Sequence, residues 1–343
     1  MFAAFKKTGK LVSLHNLRWS LMRAILIGIL AAFFFSITFI LNHAMSSEGG
    51  SWLFSASLRF IFMFPFLLMM VIWKRKGRHH IILLHIKQNF FRWLLWSSLG
   101  FVFFYVPITF VSNYSPGWLI SATWQLTIIC GLFTAPFFYT YLQQGQSTIK
   151  MRERIPWRSL ATSSIMILGV IIVQIPHISN IKLHLFLLSV IPLMIAAFCY
   201  PLGNRKMMVV VGNDLNTIER IYGMTLVTLP LWLIIFLIGV ATQGLPSSNQ
   251  ITQTFLVAIF SGIIATTLFF YATNIVKHNQ TKLAAVEATQ AMEIVFTLIG
   301  EMLLLGLALP NMLSIVGIMI ITLGIIIYCF LNSKINDRKI ELK

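Results

Sequence analysis

The chain has 343 residues, of which 58% are apolar and 10% charged, with a mean hydropathy of +0.85 and a formal net charge of +17. An average soluble domain carries about 25% charged residues, so this chain lacks the polar surface that a soluble globule of its size needs. On a soluble protein the positive charge would point to nucleic acid; here it sits in short gaps between apolar runs, which argues against a nucleic-acid partner and for membrane topology with anionic lipid headgroups.

A helix needs about 20 apolar residues to cross the hydrocarbon core. In chain order, ten stretches qualify: 24–43, 51–73, 92–112, 117–141, 158–176, 183–203, 218–241, 252–276, 283–308 and 312–331. Helices are expected because lipid cannot satisfy open backbone groups. Of the 26 Lys and Arg residues, 24 occupy alternate gaps. These are the N-terminus through Arg23, residues 74–92, residues 150–158, the group Arg205, Lys206 and Arg220, the pair Lys277 and Lys282, and the tail from Lys334. The intervening connectors hold Lys182 alone, and Arg59 stands as the one cation inside an apolar run. Cations are retained inside during insertion, so both termini are expected in the cytoplasm of a multi-pass protein of the cell (plasma or inner) membrane. Trp52, Trp73, Trp93, Trp118 and Trp157 fall near span ends, where interfacial aromatics belong.

The resulting expectation is an all-α polytopic membrane protein of ten transmembrane helices in two inverted five-helix repeats. Its parts are a basic cytoplasmic segment at 1–22, a first repeat at 23–177, a second at 178–332 and a basic cytoplasmic tail at 333–343. The halves echo one another. Phe103-Phe104-Tyr105 precedes Ala122-Thr123 with the spacing by which Phe269-Phe270-Tyr271 precedes Ala288-Thr289. Asn42 before Arg59 is matched by Asn204 before Arg220. A third triplet, Phe137-Phe138-Tyr139, has no such Ala-Thr partner. Inverted repeats of this kind go with alternating access and a site near the bilayer midplane.

Several segments carry a family likeness: Thr38-Phe39-Ile40-Leu41-Asn42, Ser55-Ala56-Ser57-Leu58-Arg59, Pro116-Gly117-Trp118-Leu119 with Thr123-Trp124-Gln125-Leu126-Thr127, and Glu287-Ala288-Thr289-Gln290 with Glu293 and Gly300-Glu301. Over residues 24–331 the chain resembles the drug/metabolite transporter superfamily, and within it the ten-helix EmrE-like multidrug resistance efflux transporters. The resemblance implies a small-molecule substrate moved across the membrane.

The ninth stretch alone holds several acids: Glu287, Glu293 and Glu301. A charge in hydrocarbon is expensive and normally faces a cavity, a partner or a proton path. At about 1.5 Å per residue Glu293 falls near the midplane, so it is the first candidate to bind a proton or a cationic substrate; the other reading is a buried carboxyl held for packing. Glu287, close to Lys282, reads as a snorkelling ion-paired residue. Arg59 and Glu301 share a similar depth and are expected to form a structural ion pair, with attraction of an anionic substrate as the alternative for Arg59. Gln290, Gln125, Trp124, Tyr105 and Asn42 complete the candidate substrate- or proton-binding set, though amides also glue helices and aromatics also fill space. Gly28, Ala32 and Ser36 form a close-packing face. Pro107, Pro136 and Pro192 are expected to kink or break spans.

Enzyme chemistry lacks its residues. His79, His80 and His85 lie in a basic loop with no acid nearby, Cys130, Cys199 and Cys329 have no metal-binding spacing, and no phosphate-cradling glycine loop is present. The expectation is therefore a non-enzymatic secondary-active transporter without cofactors, a proton-coupled exporter of small lipophilic or cationic compounds. Its partners are a small-molecule substrate, a proton or other coupling ion and membrane lipids, and it acts as a monomer or homodimer. An exporter or facilitator of a metabolite such as an amino acid is the alternative, with a membrane-embedded enzyme or lipid-handling protein behind it.

Overall fold

The structure, a computed structural model, describes residues 2–74, 79–144, 147–180, 182–277 and 279–341. The side chains of residues 1–18 and 329–343, including Cys329 and the basic tail, lie outside the described residues.

The chain is nearly all helical. It runs through α1 (Phe2–Ser47), α2 (Trp52–Lys74), α3 (His79–Gln88), α4 (Phe90–Ser97) and, after a π-helical segment Ser98–Val102, α5 (Phe103–Val111). Helices α6 (Gly117–Trp124) and α7 (Leu126–Phe133) lead to a hairpin of β1 (Tyr139–Gln144) and β2 (Ser147–Arg152). There follow α8 (Trp157–Asn180), α9 (Leu183–Val211), α10 (Thr217–Gln243) and α11 (Ser248–Val257), the last extended by a second π-helical segment, Ala258–Ala265, into α12 (Thr266–Ile275). The chain ends in α13 (Gln280–Glu287), a 3₁₀ turn at Ala288–Ala291, α14 (Met292–Leu305) and α15 (Met312–Glu341).

Among the described residues, seven helical segments are long and apolar enough to cross a membrane: Trp19–Ser47, Trp52–Trp73, Phe90–Val111, Leu183–Val211, Thr217–Gln243, Ser248–Ile275 and Ala285–Leu305. Three shorter apolar helices, Gly117–Phe133, Ser163–Ile178 and Met312–Tyr328, stand where the fourth, fifth and tenth spans are expected. The chain is therefore a multi-pass helical membrane protein.

One element corrects the all-α expectation. The fourth stretch does not run to residue 141. Its α-helix ends at Phe133, Pro136 sits in a 3₁₀ turn, and the backbone then becomes the antiparallel hairpin, with Tyr139 opposite Arg152. Proline lacks the N–H that would continue the helix, and Tyr139, Thr140, Tyr141, Thr148 and Ile149 are good strand formers. Apolar content alone had made this segment look like more span. Trp93 departs too: it is fully buried and donates to His85 Nδ1 at 3.0 Å rather than standing at an interface.

Helices pack in matched fashion. α2 lies against α10, α8 against α15, and the α6–α7 segment faces α9 and α14. α1 packs on α12 while α5 packs on α9. Glycine permits two of these crossings. A Cβ on Gly203 would come within 2.3 Å of the Gly100 nitrogen, and one on Gly169 within 2.9 Å of the Gly317 carbonyl. Small residues at such points let backbones touch, the main source of cohesion where lipid competes for apolar surface. Gly28 plays this part on α1, against the Thr289 side chain.

Candidate functional site

Two broken helices cross at the centre of the bundle. The fourth segment is interrupted at Gln125, whose backbone N–H reaches back to Ala122 at 3.3 Å, and the ninth tightens into its 3₁₀ turn, with the Thr289 hydroxyl donating to the Val286 carbonyl at 2.6 Å. The Gln125 amide joins the breaks, donating to Ser121 O at 2.9 Å and to Gln290 O at 3.4 Å. Both points keep helical dihedrals within the segments Gly117–Phe133 and Ala285–Leu305, so the change is a local tightening of the turn. Trp124, Phe104 and Tyr200 close around this crossing, with ring centroids 4.5–5.5 Å apart, and Phe269 stacks on Tyr200 at 6.2 Å.

Glu293 lies just past the crossing, in the first turn of α14, and is 1% exposed. Its Oε2 has no hydrogen-bond partner among the described residues, and the side-chain carbonyl oxygens of Gln125 and Gln290 are likewise unengaged.

The other two acids of the ninth segment, 14 residues or about 21 Å apart along a helix, each hold one end of the fourth. Pro116 at the N-cap of α6 offers no side-chain acceptor. Glu301 supplies one from across the bundle: Gly117 N–H donates to Oε1 at 2.8 Å and Trp118 N–H to Oε2 at 3.0 Å. His43 Nδ1 lies 2.7 Å from the same Oε1. A Cβ at residue 117 would stand 2.6 Å from Phe39 O and 2.8 Å from the carboxylate, so glycine is what admits the contact. At the opposite end, Arg205 grips Glu287 side-on, with Nε on Oε1 at 3.0 Å and Nη2 on Oε2. Its Nη1 donates to Gly131 O at 2.7 Å and Thr134 Oγ1 at 3.2 Å, where α7 ends. A carboxylate at a helix N-terminus and a guanidinium at a C-terminus both complement the helix dipole.

Arg205 also divides two cavities. It and Met208 line an outer one of ≈ 230 Å³ with Phe138, Asn213, Lys277 and Leu283. The same two residues line an inner one of ≈ 10 Å³, bounded by Thr127, Tyr200, Asn204, Glu287 and Gln290.

The expected Arg59–Glu301 pair is not formed. Glu301 is taken by His43 and the α6 backbone, whereas Arg59, 2% exposed, donates from Nη2 to Ser261 Oγ at 3.0 Å and lies over the Tyr105 ring at 4.1 Å. Similar depth set no azimuth, and the helix N-terminus competes for the same carboxylate. Tyr105 and Asn42 do meet, hydroxyl to amide at 3.3 Å. Glu287 is bound by Arg205, not left to snorkel. Nor is Arg59 the only buried cation, since Arg205 and Arg220 are 3% and 4% exposed. Charge counting had placed both in a loop; the reappearance of Asn42-His43 as Asn204-Arg205 was the available signal.

The structure shows a multi-pass helical membrane protein with buried charges, and its family makes it a membrane transporter. The chain belongs to the family described as "EmrE: Putative multidrug resistance efflux transporter", which it matches over residues 22–334. It is 48% identical over 318 residues to "Uncharacterized protein YjlA" of Bacillus subtilis (strain 168), covering 93% of this chain and 98% of that one. It is also 48% identical over 276 residues to an "Uncharacterized 42.1 kDa protein in intracellular alkaline protease 3'region" of Shouchella clausii, covering 80% of this chain and 71% of the relative. A solved crystal structure shares the fold with a TM-score of 0.62 at 13% identity, over 91% of this chain and 98% of the other.

Proposed function

We propose that the chain is a secondary-active exporter of small lipophilic or cationic compounds, driven by protons and working by alternating access. It would have ten spans in two inverted five-helix halves, 23–177 and 178–332, with both termini in the cytoplasm. The matched packing of α1 on α12 and α5 on α9 supports the repeat, as does the 162-residue offset that relates His43 to Arg205 and Gly100 to Gly262.

The observation that carries the reading is Glu293. It is a fully buried carboxyl, midway along its segment, with an unengaged oxygen. A proton and a cationic substrate would compete for it, so inward proton flow expels the substrate. On this reading the His43–Glu301 contact closes the outer end and the Arg205–Glu287 contact the cytoplasmic end. Each must open in turn, and the cavity beyond Arg205 is the cytoplasmic vestibule.

The test is uptake of a fluorescent lipophilic cation by inverted vesicles, with and without a pH gradient. Glu293→Gln should lose at least about 100-fold of the gradient-driven rate, the scale on which a single ionisable group in proton transfer acts. Full proton-coupled transport by Glu293→Gln overturns the proposal.

A further inference from the structure

The two cavities that meet at Arg205 differ in charge. The inner one is bounded by the Glu287 carboxylate as well as by Arg205, so its walls balance. The outer one, ≈ 230 Å³, is lined by both Arg205 and Lys277, and by no acid among the described residues. Glu153 stands nearby, its backbone N–H on Phe138 O at 3.0 Å, but does not line it. Lys206 adds a third cation to the neighbourhood, 4.8 Å from the Phe138 ring centroid.

The polar groups of the outer cavity are donors. Arg205, 3% exposed, makes four hydrogen bonds, to Glu287, Gly131 O and Thr134 Oγ1. A guanidinium has five N–H groups, so one is left. Lys277 Nζ donates to Asn213 Oδ1 at 2.8 Å and to Gly212 O at 3.5 Å, at the end of α9, and an ammonium has a third N–H to give. Asn213 takes that bond on its oxygen, which leaves its amide nitrogen to donate. The rest of the wall is apolar: Phe138, Met208, Val209 and Leu283. Cations set in apolar walls focus their field into the space between them. The volume is far above the about 10–15 Å³ that admits one water, so the space suits an organic molecule rather than a lone ion.

We infer that the cavity beyond Arg205 is a binding site for a small organic anion, a carboxylate or phosphate monoester on an apolar body. Its oxygens dock on Lys277, Asn213 and the remaining Arg205 N–H, and its apolar part lies on Phe138, Met208 and Leu283. The walls alone carry the site. That it lies on the route of entry rests on the transporter reading above, in which a cationic substrate would meet two like charges there until an anion neutralises them.

Calorimetric titration of the full-length protein in detergent tests it, with phenyl phosphate as the anion and benzyl alcohol as an uncharged counterpart. Phenyl phosphate should bind wild type at least about tenfold more tightly than benzyl alcohol. Lys277→Gln should weaken phenyl phosphate at least about tenfold, as loss of one charge-assisted hydrogen bond does, and Lys277→Arg should keep most of the affinity. Failure of phenyl phosphate to bind wild type overturns the inference, as does benzyl alcohol binding equally well; neither result needs a variant that folds. Full affinity in a folded Lys277→Gln overturns it too. Displacement by dioctanoyl phosphatidylglycerol but not by dioctanoyl phosphatidylcholine assigns the site to a lipid headgroup, and displacement by neither assigns it to a soluble anion; the anionic site stands in both cases. If phenyl phosphate binds as expected while extrusion of a lipophilic cation ignores the pH gradient, the transporter reading falls and the site remains.

Discussion

The two ends of the fourth helical segment are held by the same acid-bearing helix, yet by unlike chemistry. At one end Glu301 caps two backbone N–H groups and meets an imidazole that is 17% exposed. At the other, Glu287 meets a permanently charged guanidinium, side-on and almost completely buried. The first contact keeps most of its hydrogen bonds if the histidine swings away, because the backbone donors remain. The second keeps none of comparable strength, since removing Arg205 leaves a buried carboxylate without a donor. The first contact is therefore the cheaper of the two to separate.

Breaking the stronger contact should have the largest effect. Arg205→Leu should lower the unfolding free energy of detergent-solubilised protein by about 3–5 kcal/mol, the cost of stranding a buried charge, and Arg205→Leu with Glu287→Leu should restore much of it. A double variant no better than the single would show that the pair is not what is being broken. Next, Gly117→Ala should cost about 1–3 kcal/mol, as overpacking does, because the new methyl meets Phe39 O and the Glu301 carboxylate. Thermal unfolding reads both.

His43→Ala should cost less, about 1.5 kcal/mol, since one charge-assisted hydrogen bond of three is lost. A loss equal to that of Arg205→Leu would erase the proposed asymmetry. Smallest is Glu48→Ala, which removes only exposed contacts to Asn249 and Gln253 at the same end and should stay within about 0.5 kcal/mol. A larger drop would assign the closure of that end to the loops instead.

Much of this frame could be read from the residues. Apolar length located the helical segments, and the cost of charge in lipid singled out Glu293 and Arg59. The ends of the segments were harder. Arg205 and Arg220 lie near the limits of apolar runs, where a shift of one helical turn moves a cation from headgroups to interior, and hydropathy cannot resolve one turn. The partners of Glu301 and Glu287 were illegible for another reason: a helix fixes depth through its rise, but which neighbour a side chain meets depends on how helices rotate when they pack. Gln125 and Gln290 read as candidate cavity amides; that they join two breaks required knowing that both helices break. The hairpin after Phe133 hid behind its own aromatic content.

The two π-helical segments, Ser98–Val102 and Ala258–Ala265, give the bundle something like a gear tooth. A π turn carries an extra residue relative to the α-helix around it. Passing that residue along the chain turns every side chain it crosses by about 100° while both helix ends stay anchored. Directly downstream of the first lie Phe104 and Tyr105, one in the aromatic wall and the other beneath Arg59. Directly downstream of the second lie Phe269 and Phe270, which meet Tyr200 and Arg220. Each π segment thus lies just before a ring that covers a buried arginine, Tyr105 over Arg59 and Phe270 over Arg220.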